Sequence, residues 1–197
     1  MGIVFVSVTA SDEMIQRVLD EPPLIWRLYS PEDKDFYISA IGADKKPNLI
    51  ARLLGAKEVP VPEPLPSFLY KDGERREIDL DKSWDGINFC LKKLLAEDCP
   101  NLFEDGREIG SVEVGYGPAM SFFSSEIKKI FHAYDKISSK MLLDAFAPNE
   151  MGNVYPKAVW SEDDKETREY LEENFVGLVD YLRYAVDNRL GAIIVYT

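Results

Sequence analysis

The two ends of the chain constrain its fold more than anything between them. Residues 2–8 and the run Ala192-Ile193-Ile194-Val195-Tyr196 are near-continuous stretches of β-branched and aromatic residues. Such runs suit strands covered on both faces, so both ends are assigned to one sheet. With 197 residues, 46% of them hydrophobic, the chain falls within the usual size of about 100–200 residues per domain. The expected architecture is α+β: a single domain over 1–197, with a mixed β-sheet that includes both termini and packs with several amphipathic helices.

The connecting segments supply those helices. Ser11 is placed to cap a short helix with Asp12 and Glu13 in its first turn and Met14, Ile15, Val18 and Leu19 on one stripe, closed by Pro22-Pro23. A second short helix is expected from Pro47 to Leu54, with Gly55 as its stop. Over residues 57–77, Pro60, Pro62, Pro64 and Pro66 remove too many backbone donors for an interior strand. That stretch reads as a proline-rich surface segment ending in a turn and an edge strand, in preference to a PxxP-type peptide ligand. A helix over 82–96 follows Asp79-Leu80-Asp81-Lys82-Ser83-Trp84. Trp84, Ile87, Leu91, Leu94 and Leu95 keep its 3.6-residue period, with Asp81 placed to cap the first turn and Asp85 inside it.

Ile109–Val114 reads as a strand entering a Gly115-Tyr116-Gly117-Pro118 turn. Ser124 or Ser125 then caps a helix whose Ile127, Ile130, Phe131, Tyr134 and Ile137 form one face, and Ser139 starts another that Pro148 ends. The last helix is expected from Ser161, with Asp164 as capping-box partner, and releases into the final strand at 188–191.

Charge and residue inventory narrow the chemistry. With 23 Lys and Arg against 35 Asp and Glu, the net charge is −12, so a broad phosphate-binding surface would form against the overall field and no nucleic-acid partner is expected. The apolar start stops at Ser7, short of a leader, and no apolar stretch approaches the roughly 20 residues that cross a bilayer. A cytoplasmic protein with no membrane contact is expected, its two cysteines, Cys90 and Cys99, reduced. The single histidine, His132, leaves the apolar stripe of its helix for the side carrying Lys128, Lys129 and Lys136, which reads as solvent-facing rather than catalytic. Gly115-x-Gly117-x-x-Met120 lacks the third glycine of the dinucleotide fingerprint. Asp79, Asp81 and Asp85 could gather a hard cation, but helix capping accounts for them more simply. No metal and no cofactor is expected.

Three motifs together, Asp79-Leu80-Asp81-Lys82-x-Trp84, Gly115-Tyr116-Gly117-Pro118-Ala119, and Val154-Tyr155-Pro156 with Trp160, followed by an acidic helix and a closing strand, resemble the YfbM-like family of bacterial proteins, a domain of unknown function (DUF1877). The resemblance covers essentially the whole chain and implies an α+β single domain with no assigned activity. It also implies a histidine four residues after the tryptophan. This chain has Asn88 there, an amide that does not titrate.

The functional expectation is a non-catalytic acidic protein-interaction module, inhibitor- or immunity-like, that meets a basic protein partner through opposite charge. The alternative is a small-molecule-binding protein or enzyme with a pocket near Trp84, Tyr116 and Tyr155. The residues singled out for ligand or partner binding are Asp79, Asp81, Lys82, Trp84, Asp85, Asn88, Tyr116, Tyr155 and Trp160. No catalytic constellation is recognisable among them, and the run from Glu162 to Glu173 reads as a solvated acidic helix face.

Overall fold

The computed structural model describes residues 2–45, 47, 53–55 and 57–197. In chain order, β1 (Phe5–Ala10) leads through α1 (Asp12–Asp20), a 3-10 turn (Pro22–Leu24), α2 (Ile25–Tyr29) and α3 (Lys34–Ala40) to β2 (Glu77–Asp79). Then come α4 (Trp84–Leu94), β3 (Arg107–Gly115), β4 (Gly117–Phe122), α5 (Ser124–Tyr134), α6 (Ser139–Ala145), a 3-10 turn (Pro148–Glu150), α7 (Lys165–Asp187) and β5 (Gly191–Tyr196). The helix expected over 47–54 falls largely on 48–52, which lie outside the described residues.

The strands form one sheet in the order β2-β1-β5-β4-β3. The two chain ends are neighbours in it, pairing from Phe5↔Tyr196 to Ala10↔Gly191. The fold is α+β, but every described pairing is antiparallel, so the sheet is not mixed. Runs apolar on both faces are typical of parallel interior strands. Here helices on both sides of an antiparallel sheet give the same burial without a parallel crossover. Successive residues of β5 enter opposite layers: Ala192 and Ile194 join the core beneath α4–α7, while Ile193 and Val195 join a second core with Ile15, Val18, Ile25, Leu28 and Tyr37 of α1–α3.

Side-chain acceptors mark where α1, α5 and α7 begin. Ser11 accepts the Met14 N–H, as expected. For α5 the cap position belongs to Phe123, not to Ser124 or Ser125. Ser124 donates its N–H and its hydroxyl to the Asp12 carboxylate, each at 2.7 Å, and Glu126 accepts the Phe123 N–H. α7 starts at Lys165 rather than Ser161: Asp164 accepts the Thr167 N–H, whereas the Ser161 hydroxyl is turned back to the Ala158 carbonyl.

Residues 57–66 belong to no described helix or strand. The segment is fastened where it meets α1 and α2, through Arg27 Nε to the Pro66 carbonyl and Arg17 Nη1 to the Ser67 carbonyl. It then turns at 71–74 into the edge strand β2. Among the described residues no helix is long and apolar enough to cross a membrane.

Candidate functional site

Seven of the nine expected site residues meet around the start of α4. Asp79 Oδ1 accepts the Asp81 N–H at 2.6 Å, closing a turn in which Asp81 has φ 46°. Asp81 does not cap α4. The helix begins at Trp84 with Ser83 in the cap position and no side-chain cap, because the Ser83 hydroxyl donates to the Leu80 carbonyl. The Asp81 carboxylate instead accepts the Tyr170 hydroxyl of α7 at 2.8 Å, and that phenol oxygen accepts the Lys82 N–H at 3.1 Å. Burial, and then the bond to Asp81, push the Tyr170 phenol up to about 12. Asp85 lies in the first turn, and its Oδ2 accepts the Tyr155 N–H at 2.7 Å. The three aspartates thus serve three different donors. Among the described residues no group of three or more His, Cys, Asp or Glu converges as a metal site.

The aromatic motif residues clasp the beginning of the chain. Trp84 Nε1 donates to the Ile3 carbonyl, and the Ile3 N–H donates to the Tyr155 hydroxyl. The Trp84 ring meets Tyr196 edge-on at 4.9 Å and lies 6.4 Å from Tyr155. Trp160 is 1% exposed and donates Nε1–H to the Tyr155 carbonyl. Its ring lies over Gly86 so closely that a Cβ there would sit 2.5 Å from Cζ2. Tyr116 stands apart. Its N–H reaches the Tyr196 carbonyl, but its side chain is 56% exposed on the β3–β4 turn. That turn is tighter than the four-residue turn expected: Gly115 pairs with Gly117, and Pro118 already lies in β4 opposite Glu113. Gly115 is required there, since a Cβ would come within 2.1 Å of the Tyr196 carbonyl oxygen.

Asn88 lies one turn further along α4, buried, in a separate network. It donates to Glu104 Oε1 at 3.0 Å and accepts from Asn101 Nδ2 at 2.8 Å. Lys92, hydrogen-bonded to Glu104, holds that carboxyl below its usual range. A small open cleft of about 260 Å³ beside this network is lined by Lys92, Asn101, Glu104 and Cys99. Cys90 is buried and Cys99 partly so, both as free thiols. His132 is exposed on α5.

Sequence reasoning missed Tyr170, Tyr196, Asn101 and Glu104. Tyr170 meets Asp81 from 89 positions away, and no local spacing announces such a pairing. None of the five clefts described has Trp84, Tyr116, Tyr155 or Trp160 in its lining. An open cleft of about 450 Å³ is lined by Tyr170, the partner of Asp81. Glu162, Asp164 and Glu166 line it with Ala158 and Val159, and no Lys or Arg does among the described residues.

The comparisons with known proteins agree with this architecture. A crystal structure of the protein of unknown function YfbM from Escherichia coli superposes with a TM-score of 0.52 over 99% of both chains at 15% identity, which establishes a shared fold. No curated protein matches the chain. Residues 1–195 match the family described as a domain of unknown function, DUF1877, and the chain belongs to that family.

Proposed function

We propose that this protein is a non-catalytic, cytoplasmic interaction module whose acidic face receives a basic protein partner, in the manner of a stoichiometric inhibitor or immunity protein. The observation that carries the reading is the cleft beside Tyr170. Its carboxylates come from Glu162, Asp164 and Glu166, Ala158 and Val159 line it beside them, and no cation lies in its lining among the described residues. Glu162 and Glu166 take part in no described hydrogen bond or ion pair, and exposed Asp79 and Asp81 extend the negative surface past Tyr170. Such a surface speeds encounter with a positive partner and loses that advantage as salt rises. Trp84, Tyr155 and Trp160, by contrast, spend their described hydrogen bonds within the fold.

The test is titration of the full chain with an unstructured lysine-rich peptide at low salt and at about 0.5 M salt, where the Debye length falls to a few ångströms. Glu162→Gln/Glu166→Gln should weaken binding about tenfold at low salt, while Glu13→Gln/Asp20→Asn on α1 should leave it within about twofold. Equal losses from the two pairs would reduce the interaction to net charge and overturn the reading.

A further inference from the structure

Between α1 and the segment that returns to β2 lies a small cleft of about 230 Å³. Each wall carries one acid and one base: Glu13 and Arg17 on α1, Lys71 and Glu74 on the returning segment. The lining therefore sums to zero in a chain whose net charge is −12. These four groups do not satisfy one another. Glu13 and Arg17 stand four apart on one helix, a spacing that favours an ion pair, yet Glu13 takes part in no described hydrogen bond or ion pair. Arg17 turns instead to the returning segment, where Nη1 donates to the Ser67 carbonyl at 3.2 Å and the guanidinium sits 4.7 Å from the centre of the Phe68 ring. That one bond leaves most of its N–H donors open. Glu74 Oε2 accepts the Lys71 N–H at 2.7 Å, which fixes the carboxylate at the 71–74 turn. The Lys71 ammonium stands 3.8 Å from Oε1, beyond hydrogen-bond length, so that oxygen keeps its capacity to accept. The rest of the lining includes apolar Met14, Phe68 and Leu69, and Leu69 is 87% exposed.

The charge balance selects the occupant. An anion drawn to Arg17 and Lys71 would bring its charge against Glu13 and Glu74 and against the net charge of the chain, and a cation drawn to the two glutamates would meet the two bases. A ligand that carries both charges on neighbouring atoms meets the opposite sign twice. The volume lies below the roughly 300–1,000 Å³ of sites for drug-sized molecules, so the ligand is small. We infer that this cleft binds a free α-amino acid with an apolar side chain, its carboxylate on the Arg17 guanidinium, its ammonium on Glu74 Oε1 and its side chain against Met14, Phe68 and Leu69. The guanidinium fork matches a carboxylate, and the Phe68 ring beneath it limits where the fork can point. The site is separate from the Tyr170 cleft and does not depend on the reading given under Proposed function.

The experiment titrates the full chain with L-leucine and follows amide chemical shifts. Two comparators share the carbon skeleton: 4-methylpentanoate lacks the ammonium, and 3-methylbutylamine lacks the carboxylate. The expected result is leucine-dependent shifts confined to residues 11–17 and 67–74, with each comparator bound at least about tenfold more weakly. Glu74→Gln keeps an acceptor for the Lys71 N–H, and should lower the affinity for leucine to about that for 4-methylpentanoate while leaving the affinity for 4-methylpentanoate within about twofold. Arg17→Gln should abolish the preference for leucine over 3-methylbutylamine. A merely structural role for either residue would weaken all three ligands alike. Equal binding of leucine and a comparator, shifts confined to other residues, an unchanged preference in Glu74→Gln, or no leucine-dependent shift up to about 10 mM would overturn the inference.

Discussion

Replacing Gly86 by alanine tests whether the motif cluster is packed as tightly as the geometry states. Gly86 lies in the first turn of α4, so alanine by itself would add at most about 1 kcal/mol of helix propensity. The new Cβ would lie 2.5, 2.6 and 2.8 Å from Cζ2, Cη2 and Cε2 of Trp160. That ring cannot retreat cheaply. It is buried, its Nε1–H is bound to the Tyr155 carbonyl, and it meets Phe146 edge-on and stacks with Tyr170. Overpacking of this kind costs about 1–3 kcal/mol, and three ring atoms inside 3 Å argue for the upper part of that range. The net expectation is a loss of about 1–2 kcal/mol. Urea denaturation should show it as a lowered midpoint with an unchanged slope, and a thermal scan as a Tm lower by about 3–8 °C. The same substitution in a Trp160→Phe background should cost less than about 0.5 kcal/mol, since the smaller ring vacates the space. A Gly86→Ala protein as stable as the parent, or an equal cost in both backgrounds, would refute the reasoning.

Two further outcomes follow from the buried polar network and the core thiol. Asn88→Asp places a second carboxyl beside Glu104 in a buried position, with Asn101 and Lys92 as its other neighbours. Burial and the like charge raise the introduced group's folded pKa above its unfolded value, so the destabilisation, about 2 kcal/mol, is full at neutral pH and shrinks as pH falls through that raised value toward about 4; urea midpoints across pH measure it, and a deficit that grows on acidification would contradict the network. Cys90 is fully buried with its thiol pushed up to about 12, chiefly by burial, so iodoacetamide at pH 8 should label Cys99 first and reach Cys90 only at the rate of global unfolding; equal labelling rates in the native protein would show that α4 is not seated as described.

The main layout of the fold was legible because its signals are local. The apolar ends, the 3.6-residue stripes and the proline spacing each report which face of one segment is dry. The antiparallel sense of the sheet was not legible, because a strand buried on both faces has the same composition whichever way its neighbour runs. Helix starts slipped where two competent acceptors stood close together: at 161–164 the carboxylate took the helix N–H and the serine turned back. The site was half legible. The DLDKxW, Tyr155 and Trp160 motifs do converge, but their partners Tyr170 and Tyr196 sit in helix and strand patterns where they read as ordinary core or flank. Asn88 announced that a buried amide needs partners, while Asn101 and Glu104, which satisfy it, lie 13 and 16 positions away.

The distribution of acid through the structure separates two roles that net charge alone merges. The aspartates Asp12, Asp79, Asp81, Asp85 and Asp164 each accept an N–H or hydroxyl that the fold would otherwise leave open. Their short side chains hold the carboxylate near the backbone, where capping and turn bonds form. The side chains of Glu162, Glu166 and Glu173, with those of Glu108 and Glu113 on β3, take part in no described hydrogen bond or ion pair and carry charge out into solvent. Neutralising the first group removes partners from the chain's own donors and so lowers stability. Neutralising the second removes mutual repulsion in a chain at −12 and leaves the fold intact. A surface that keeps such charge at no benefit to its own fold, as the glutamates beside Tyr170 do, is suited to meeting positive charge brought from outside.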